Sequence, residues 1–209
     1  MTRLPKIARG ILLALPVMLA ASAVGAAPPG QDPDWPCAQL LVPKLTAGTY
    51  WTGPAPPTGA DWRADPAIAA LVAEVTRRDI AARDGEAKLT AFADSLAPEQ
   101  RRTVLSELFA GLVDAINEQR HGVIVRLKEL GRRQRSMAEL VDKVTDELQS
   151  VPADASGKDA ERRSEIEQRR GFLIRGFEQT QRTVQYACQV PTELEGRLGG
   201  YARALQAKL

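Results

Sequence analysis

The chain has 209 residues, with 28 lysines and arginines, 26 aspartates and glutamates, and one histidine, which gives a formal net charge of +2. So small a charge gives no electrostatic support for nucleic-acid binding, and a lone histidine excludes multi-histidine metal sites. The length suffices for one domain with a hydrophobic core, with or without an extension.

The chain begins with the three parts of a secretory signal. Arg3, Lys6 and Arg9 form a basic start, an uncharged stretch follows, and small residues close it. We expect cleavage near Ala26 and a periplasmic or secreted bacterial protein. An uncleaved membrane anchor is the alternative, because the uncharged stretch of 18 residues is at the lower limit for a spanning helix. The signal holds three basic and no acidic residues, so 25 basic and 26 acidic residues remain after cleavage.

Cys37 and Cys188 are the only cysteines, and we expect them to form a disulfide. A single cysteine pair in an exported chain is usually bridged. A bridge closing so long a loop contributes about 4–5 kcal/mol in the chain-entropy model. A reactive or metal-binding thiol is the alternative, but it would favour a Cys-x-x-Cys pair or nearby histidines, which the sequence lacks.

The segment 27–65 differs in composition from the rest of the chain. Nine of the 14 prolines lie between Pro28 and Pro66, and all three tryptophans lie in the same region. Proline removes backbone donors and blocks helix, so we predict an extended strap across a helical body. Its aromatic rings either complete the core or line an apolar groove for a ligand or peptide. As candidate binding residues we take Trp35, Tyr50, Trp51 and Trp62.

Helical patterns begin at the end of the strap. Asp65 followed by Pro66 predicts an N-cap and a first helical turn. Asp84 and Gly85 predict an interruption before a second, short helix. Together these features predict a small helical base ahead of the longest element.

The stretch between Pro98 and Pro152 contains no proline and repeats apolar residues at spacings of three and four, which predicts one long helix. A break at Gly122 or Gly131 is the alternative to a continuous helix. A turn and another long apolar repeat follow, so we predict an antiparallel hairpin over residues 98–190. Capping-box patterns that begin at Ser156 and at Thr192 predict the starts of the second long helix and of a terminal helix.

The hairpin has a predicted register. With the turn centred near residue 154, the numbers of paired residues sum to about 309. This pairing places Val144 beside Ile166, and Gly131 opposite Phe177. It also places the disulfide at the base of the hairpin, near His121.

The sequence lacks the parts of the common enzymes. It contains no Gly-x-Ser-x-Gly turn, no glycine-rich phosphate loop, no haem-attachment motif and no calcium loop. His121 as a general base would need a nucleophile and an orienting partner, and no motif supplies them. We therefore predict no catalytic residue, no metal and no cofactor, and we keep His121 among the candidate binding residues.

Basic residues are in excess over the middle of the hairpin. They form either a solvated face or a docking surface for an acidic partner or anionic lipid headgroups. The candidates are Arg132, Arg133, Arg135, Arg169, Arg170 and Arg175.

The predicted fold is all-α, with a long, coiled-coil-like antiparallel helical hairpin, a smaller helical base and an extended Pro/Trp-rich N-terminal strap. The predicted division is a signal peptide (1–26), the strap (27–65) and a helical domain (66–209). We expect a non-enzymatic interaction protein of the bacterial cell envelope, an adaptor or assembly factor. A protein partner or a second copy would cover apolar residues such as Leu140, Phe172 and Ile174. The alternative is a periplasmic small-molecule or lipid-binding module that uses the Trp-rich strap. We expect no nucleic-acid partner, and membrane contact only through an uncleaved signal.

Overall fold

A computed structural model describes residues 32–56, 59 and 61–209, so the predicted signal peptide and the start of the strap lie outside the described residues. Within these ranges the chain forms helices and no strand, which confirms the all-α prediction. No described helix is long and apolar enough to cross a membrane. The helices are α1 (Ala47–Tyr50), α2 (Pro66–Val75), α3 (Ala82–Ser95), α4 (Pro98–Gln149), α5 (Lys158–Ala187) and α6 (Gln189–Gln206).

The base of the molecule consists of α2, α3 and α6 packed around the first part of α4. The Asp65 side chain accepts hydrogen bonds from the backbone N–H groups of Ala67 and Ile68, so the predicted N-cap of α2 is confirmed. The strap adds Trp51 to this core, where its ring stacks on Phe109 at a centroid distance of 4.7 Å. The other fully buried side chains of this core include Leu89, Leu105, Leu112, Ile116, Leu198 and Leu205.

The predicted interruption at Asp84 and Gly85 is wrong. Both residues lie inside α3, which begins at Ala82. Gly85 allows α3 and α6 to pack closely, because a Cβ at this position would collide with the phenol of Tyr201. Tyr201 is fully buried and donates a 2.7 Å hydrogen bond to the carbonyl of Val75. The glycine therefore marks a close helix contact, which sequence alone does not distinguish from a turn.

Helix α4 is continuous over 52 residues, a length of about 78 Å at 1.5 Å per residue. It breaks at neither Gly122 nor Gly131. At Gly131 the strap crosses the helix, and a Cβ there would collide with the carbonyl oxygen of Asp34. At Gly122 nothing lies within 4 Å of the added atom. The two glycines therefore differ: one seats the strap and the other faces open space.

The antiparallel hairpin of α4 and α5 is confirmed, and Val144 and Ile166 are buried in one cluster, as the predicted register requires. Other contacts near the turn join residues whose numbers have a larger sum than predicted, because Arg169 pairs with Glu147 and Arg170 bonds Thr145. Farther along, Gly131 and Phe177 line the same groove, but the atoms nearest a Cβ at Gly131 belong to the strap. The space at Gly131 accommodates the strap rather than an aromatic ring, and the close approach of the two helices occurs where Met137 packs on Gly176.

Neither capping box forms. Helix α5 is preceded by Gly157 at a φ of 59°, a conformation that favours glycine, and Ser156 makes no cap. Helix α6 follows α5 after the single residue Cys188, so Thr192 lies inside α6. The acidic member of that predicted box, Glu195, is paired with Arg120 of α4. A tertiary ion pair thus uses the carboxylate that the local pattern assigns to the cap.

Burial along the hairpin is uneven. The base core ends at about Ile116, a second cluster (the neck) contains Trp35, Cys37, Ile124 and Leu127, and a third (the tip) contains Val144, Val151 and Ile166. We call the part of the hairpin between neck and tip the arm. In this fully described stretch, α4 has no buried residue between Gly131 and Val144, and α5 has none between Ile166 and Val184. The arm is thus a two-helix layer with a half-covered interface.

We expect opposite effects of alanine at the two glycines of α4. Gly131→Ala should destabilise the protein by about 1–3 kcal/mol, because the strap backbone must move away from the new methyl group. Gly122→Ala should stabilise it by up to about 1 kcal/mol through helix propensity. Chemical unfolding followed by circular dichroism measures both. Equal effects of the two substitutions would contradict the seating of the strap on Gly131.

Candidate functional site

The predicted disulfide is confirmed. Cys37 of the strap and Cys188, between α5 and α6, form a bridge with Cα atoms 5.6 Å apart and a sequence separation of 151. Both cysteines belong to the neck, where Trp35 and Cys37 pack against Ile124 and Leu127. Val123, next to Ile124, is the nearest α4 contact of this cluster to the predicted position at His121. The bridge therefore lies at the base of the hairpin, slightly farther along α4 than predicted.

Charged side chains of α4 form ion pairs with the strap next to the neck. Asp34 accepts a 2.7 Å hydrogen bond from Arg132 and another from Arg135, and Lys128 pairs with Asp32 at 2.8 Å. Arg135 also donates to the carbonyl of Pro33. The hydrogen bonds from Arg132 and Arg135 lower the pKa of the Asp34 carboxyl below its usual value. The same effect from Lys128 lowers the pKa of Asp32.

The strap is fixed a second time, at Leu45. The Asn117 side chain accepts a 2.8 Å hydrogen bond from the Leu45 N–H and donates a 2.9 Å hydrogen bond to its carbonyl. Both groups are buried, so the amide satisfies a backbone that is isolated from other secondary structure. No sequence pattern predicts this pairing, and its one signal is an asparagine beside the apolar stripe of α4.

The four candidate aromatic residues do not share one site. Trp35 lies in the neck and donates a 2.8 Å hydrogen bond from Nε1 to the carbonyl of Gln39. Tyr50 and Trp51 pack on the base core, where Trp51 stacks on a phenylalanine. Trp62 is half-buried, packs on the same core and donates to Asp114 at 3.2 Å. The structure thus places all four rings against protein, and only Trp35 stands beside the disulfide.

His121 is exposed on α4, about 100° around the helix axis from its buried neighbour Arg120. Among the described residues, no group of three or more histidine, cysteine, aspartate or glutamate side chains is arranged to hold a metal ion.

Most of the candidate docking arginines have partners within the chain. Arg132 and Arg135 hold the strap through Asp34. Arg169 pairs with Glu147, and Arg170 donates a 2.9 Å hydrogen bond from Nε to the Thr145 hydroxyl. The other two candidates are exposed: Arg133 on α4 and Arg175 on α5. Four of the six arginines are therefore held by groups of the chain itself, but Asp34 and Glu147 are the only carboxylates of the described residues that oppose them. The surface keeps an excess of positive charge, although part of its hydrogen-bonding capacity is already used.

Arg120 is a candidate functional residue that no sequence motif predicts. This arginine is 2% exposed, and its Nη2 forms a 2.6 Å ion pair with Glu195 of α6, which is about one-third exposed. The two other guanidinium nitrogens, Nε and Nη1, are buried and have no hydrogen-bond partner among the described residues. One signal was present: Arg120 follows Ile116 by four residues, so it occupies a position of the apolar stripe.

Concave regions lie along the described parts of the strap and the hairpin. One of about 710 Å³ is an open groove beside the disulfide, between the strap and the start of α6. A more enclosed cavity of about 240 Å³ lies under the strap and includes Arg120 and Glu195 in its lining. Two grooves of about 330 and 230 Å³ follow one face of the arm, and both are lined by Ala138 and Phe177.

Comparison with known proteins gives no assignment. The chain matches no protein-family model, no curated protein and no solved structure. Function must therefore be inferred from the geometry of these surfaces.

Removal of the disulfide should loosen the strap without unfolding the hairpin's individual helices. We expect a protein with both Cys37→Ser and Cys188→Ser to lose about 3–5 kcal/mol of unfolding free energy, since the bridge closes a very long loop. Exposure of Trp35 should also shift tryptophan emission to longer wavelength. Urea titration of the variant, of the reduced protein and of the oxidised protein measures both effects. An unchanged midpoint would show that the strap is held without the bridge.

The ion pairs of Asp34 should make the attachment of the strap sensitive to acid. A carboxyl whose pKa is lowered in the folded state stabilises the protein above its unfolded value of about 3.8, and this contribution is lost as the pH falls through the folded pKa. We therefore expect Asp34→Asn to be less stable than the natural protein at neutral pH, with a difference that shrinks in acid. Urea unfolding at a series of pH values measures it. Asp154→Asn, in the exposed turn, is the control, and an acid dependence equal to that of Asp34→Asn would contradict the assignment.

Proposed function

We propose that this protein is an exported, non-enzymatic interaction protein of the bacterial cell envelope, an adaptor or assembly factor, which binds an amphipathic helix of a protein partner along its arm. The observation that carries the proposal is the half-covered helix pair between the neck and the tip.

The arm has an apolar groove on one face. Ala138, Val141 and Asp142 of α4 line it on one side, and Ile174 and Phe177 of α5 line it on the other. None of these side chains is fully buried. Apolar surface that remains exposed in a monomer is favourably covered by a partner. A two-helix layer becomes a well-packed bundle when at least one further helix lies in the groove between its members.

The shape of the groove suits a helix. The second arm groove shares Ala138 and Phe177 with the first and extends it towards Pro33 and Trp35 of the strap. The combined surface is therefore elongated along the hairpin axis. Elongated apolar grooves accept a helix that presents residues at spacings of three, four and seven.

The chemistry of the groove favours an apolar stripe over a strongly charged segment. Arg135 is the cation that lines its neck end, and it is already paired with Asp34. A partner would therefore gain little from opposing this cation. Its affinity would come from covering apolar side chains.

A second apolar surface supports an adaptor. Leu140 is 44% exposed and Phe172 is 71% exposed. Leu140 lies about 200° around α4 from Ala138, and Phe172 lies about 200° around α5 from Ile174, so neither belongs to the groove. The arm thus presents apolar residues on two sides, which allows two contacts at once.

Export is supported by the start of the sequence and by the disulfide. Bridges of this kind persist in oxidising compartments outside the cytoplasm. The basic and apolar pattern of residues 1–26 is typical of a cleaved signal, and a bacterial periplasmic or secreted location follows from it.

The proposal is tested by site-specific photocrosslinking in the native envelope. A photoreactive residue at Ala138, in the groove, should form an adduct with one partner, and mass spectrometry should map the crosslink to a helix with an apolar stripe. The same residue at Lys143, which is exposed on α4 outside the lining of the groove, is the matched control and should form no such adduct.

In the protein with the photoreactive residue at Ala138, Ile174→Glu should lower the yield of the adduct at least about tenfold. The partner would bury the new carboxylate in the bound state, which weakens binding. Circular dichroism should show that the variant keeps its helices. Equal adducts from Ala138 and Lys143 would contradict docking in the groove. Adducts formed only with a second copy of this chain would contradict the adaptor function and would show that the groove is the interface of a homo-oligomer.

A further inference from the structure

Arg120 holds a buried charge that the protein only partly satisfies. Glu195 accepts from Nη2 at 2.6 Å, while Nε and Nη1 are shielded and lack partners among the residues described. A buried charged group with unmade hydrogen bonds costs free energy, and the cost is larger than that of a neutral group. Such a group in a folded protein requires an explanation, and a bound ligand is one.

A cavity adjoins this arginine. It has a volume of about 240 Å³ and lies between the strap and the first turns of α6. Arg120 and Glu195 are its charged members, while Trp35, Leu41, Val42 and Pro191 supply apolar surface. Val42 is 41% exposed, so the strap leaves part of the cavity's edge open to solvent.

We propose that this cavity binds a small monocarboxylic acid with an apolar body. The guanidinium is the protein cation best suited to a carboxylate, because it offers several donors in fixed geometry and keeps its charge. The indole of Trp35 and the aliphatic side chains around it cover the body of the acid.

The charge of Glu195 favours a carboxylate over a phosphate as the ligand of this cavity. Its carboxylate already lies on the guanidinium, so a bound anion adds charge beside an existing negative one. A monoanion adds a single charge, whereas a phosphate monoester at neutral pH adds up to about two. Glu195 is partly exposed, so water screens its charge on one side. Its repulsion of a bound carboxylate is therefore weaker than its repulsion of a bound phosphate. The volume, below the usual range for drug-sized ligands, limits the acid to a small one.

The inference does not rest on the proposed adaptor function. The cavity lies under the strap beside the neck, and Trp35, at the neck end of the second arm groove, is the one described residue that the two surfaces share. Neither experiment substitutes it. A negative result in either experiment therefore leaves the other unaffected.

Isothermal calorimetry of the full chain with phenylacetate tests the proposal. We expect saturable binding to one site with a Kd of about 1 mM or below. The neutral analogue 2-phenylethanol and inorganic phosphate should each bind at least about tenfold more weakly, a difference of about 1.4 kcal/mol. Equal affinity for phenylacetate and 2-phenylethanol would show apolar binding without use of Arg120 and would overturn the proposal. So would binding of phosphate alone, or no binding of any probe.

Variants separate a binding role from a structural one. Arg120→Met should weaken phenylacetate binding at least tenfold, whereas Arg126→Met, at an exposed position of α4, should leave it unchanged. Glu195→Gln should strengthen binding, because it removes the competing carboxylate. A purely structural pair predicts lower stability and no gain in affinity. If Arg120→Met fails to fold, Val42→Trp at the exposed edge should still reduce binding by filling the cavity, and unchanged affinity in that variant would overturn the proposal.

Discussion

The covalent bond between Cys37 and Cys188 fixes the position of the strap, on which the contacts between the strap and α4 depend. A proline-rich segment has few backbone hydrogen bonds of its own, so it holds its position only through contacts with other elements. The bridge attaches it beside the point where α5 turns into α6. Once the strap is fixed there, Asp34 reaches the arginines of α4, and Asn117 pairs with the backbone of Leu45. The neck cluster and the cavity under the strap both exist because of this attachment.

The number of elements that surround α4 explains the uneven packing of this long helix. Where other elements surround α4, from Leu105 to Leu127, its apolar stripe is buried. Beyond Gly131 only α5 accompanies it, and one helix covers only part of the stripe. The tip regains a small core because the turn folds Val151 onto Val144 and Ile166. The arm is therefore the part of the described molecule whose apolar residues gain most from an additional helix, which is the basis of the interaction function that we propose.

The two candidate sites use different physics. The arm groove offers mainly apolar surface, and Arg135 at its neck end is already paired with Asp34, so it suits a helix with an apolar stripe. The cavity at Arg120 offers a shielded cation with donors to spare, so it suits a small anion. Arg120 also links three elements, because its side chain reaches Glu195 of α6 and borders the strap. Occupancy of the cavity would thus stabilise the attachment of the strap by mass action.

The all-α class, the hairpin, the disulfide and the cap at Asp65 could be predicted from the sequence, because each depends on local periodicity, a local capping pattern or the presence of only two cysteines. The roles of individual polar residues and glycines could not, because they depend on contacts between distant parts of the chain. The roles of Gly85 and Gly131 could not be predicted, because the sequence does not distinguish a glycine that allows close packing from one that permits a turn. Ser156 and Thr192 fit a capping pattern that does not form, since Gly157 precedes α5 and α6 begins directly after Cys188. The buried pair of Arg120 and Glu195 depends on two residues 75 positions apart, and no local pattern encodes so distant a contact.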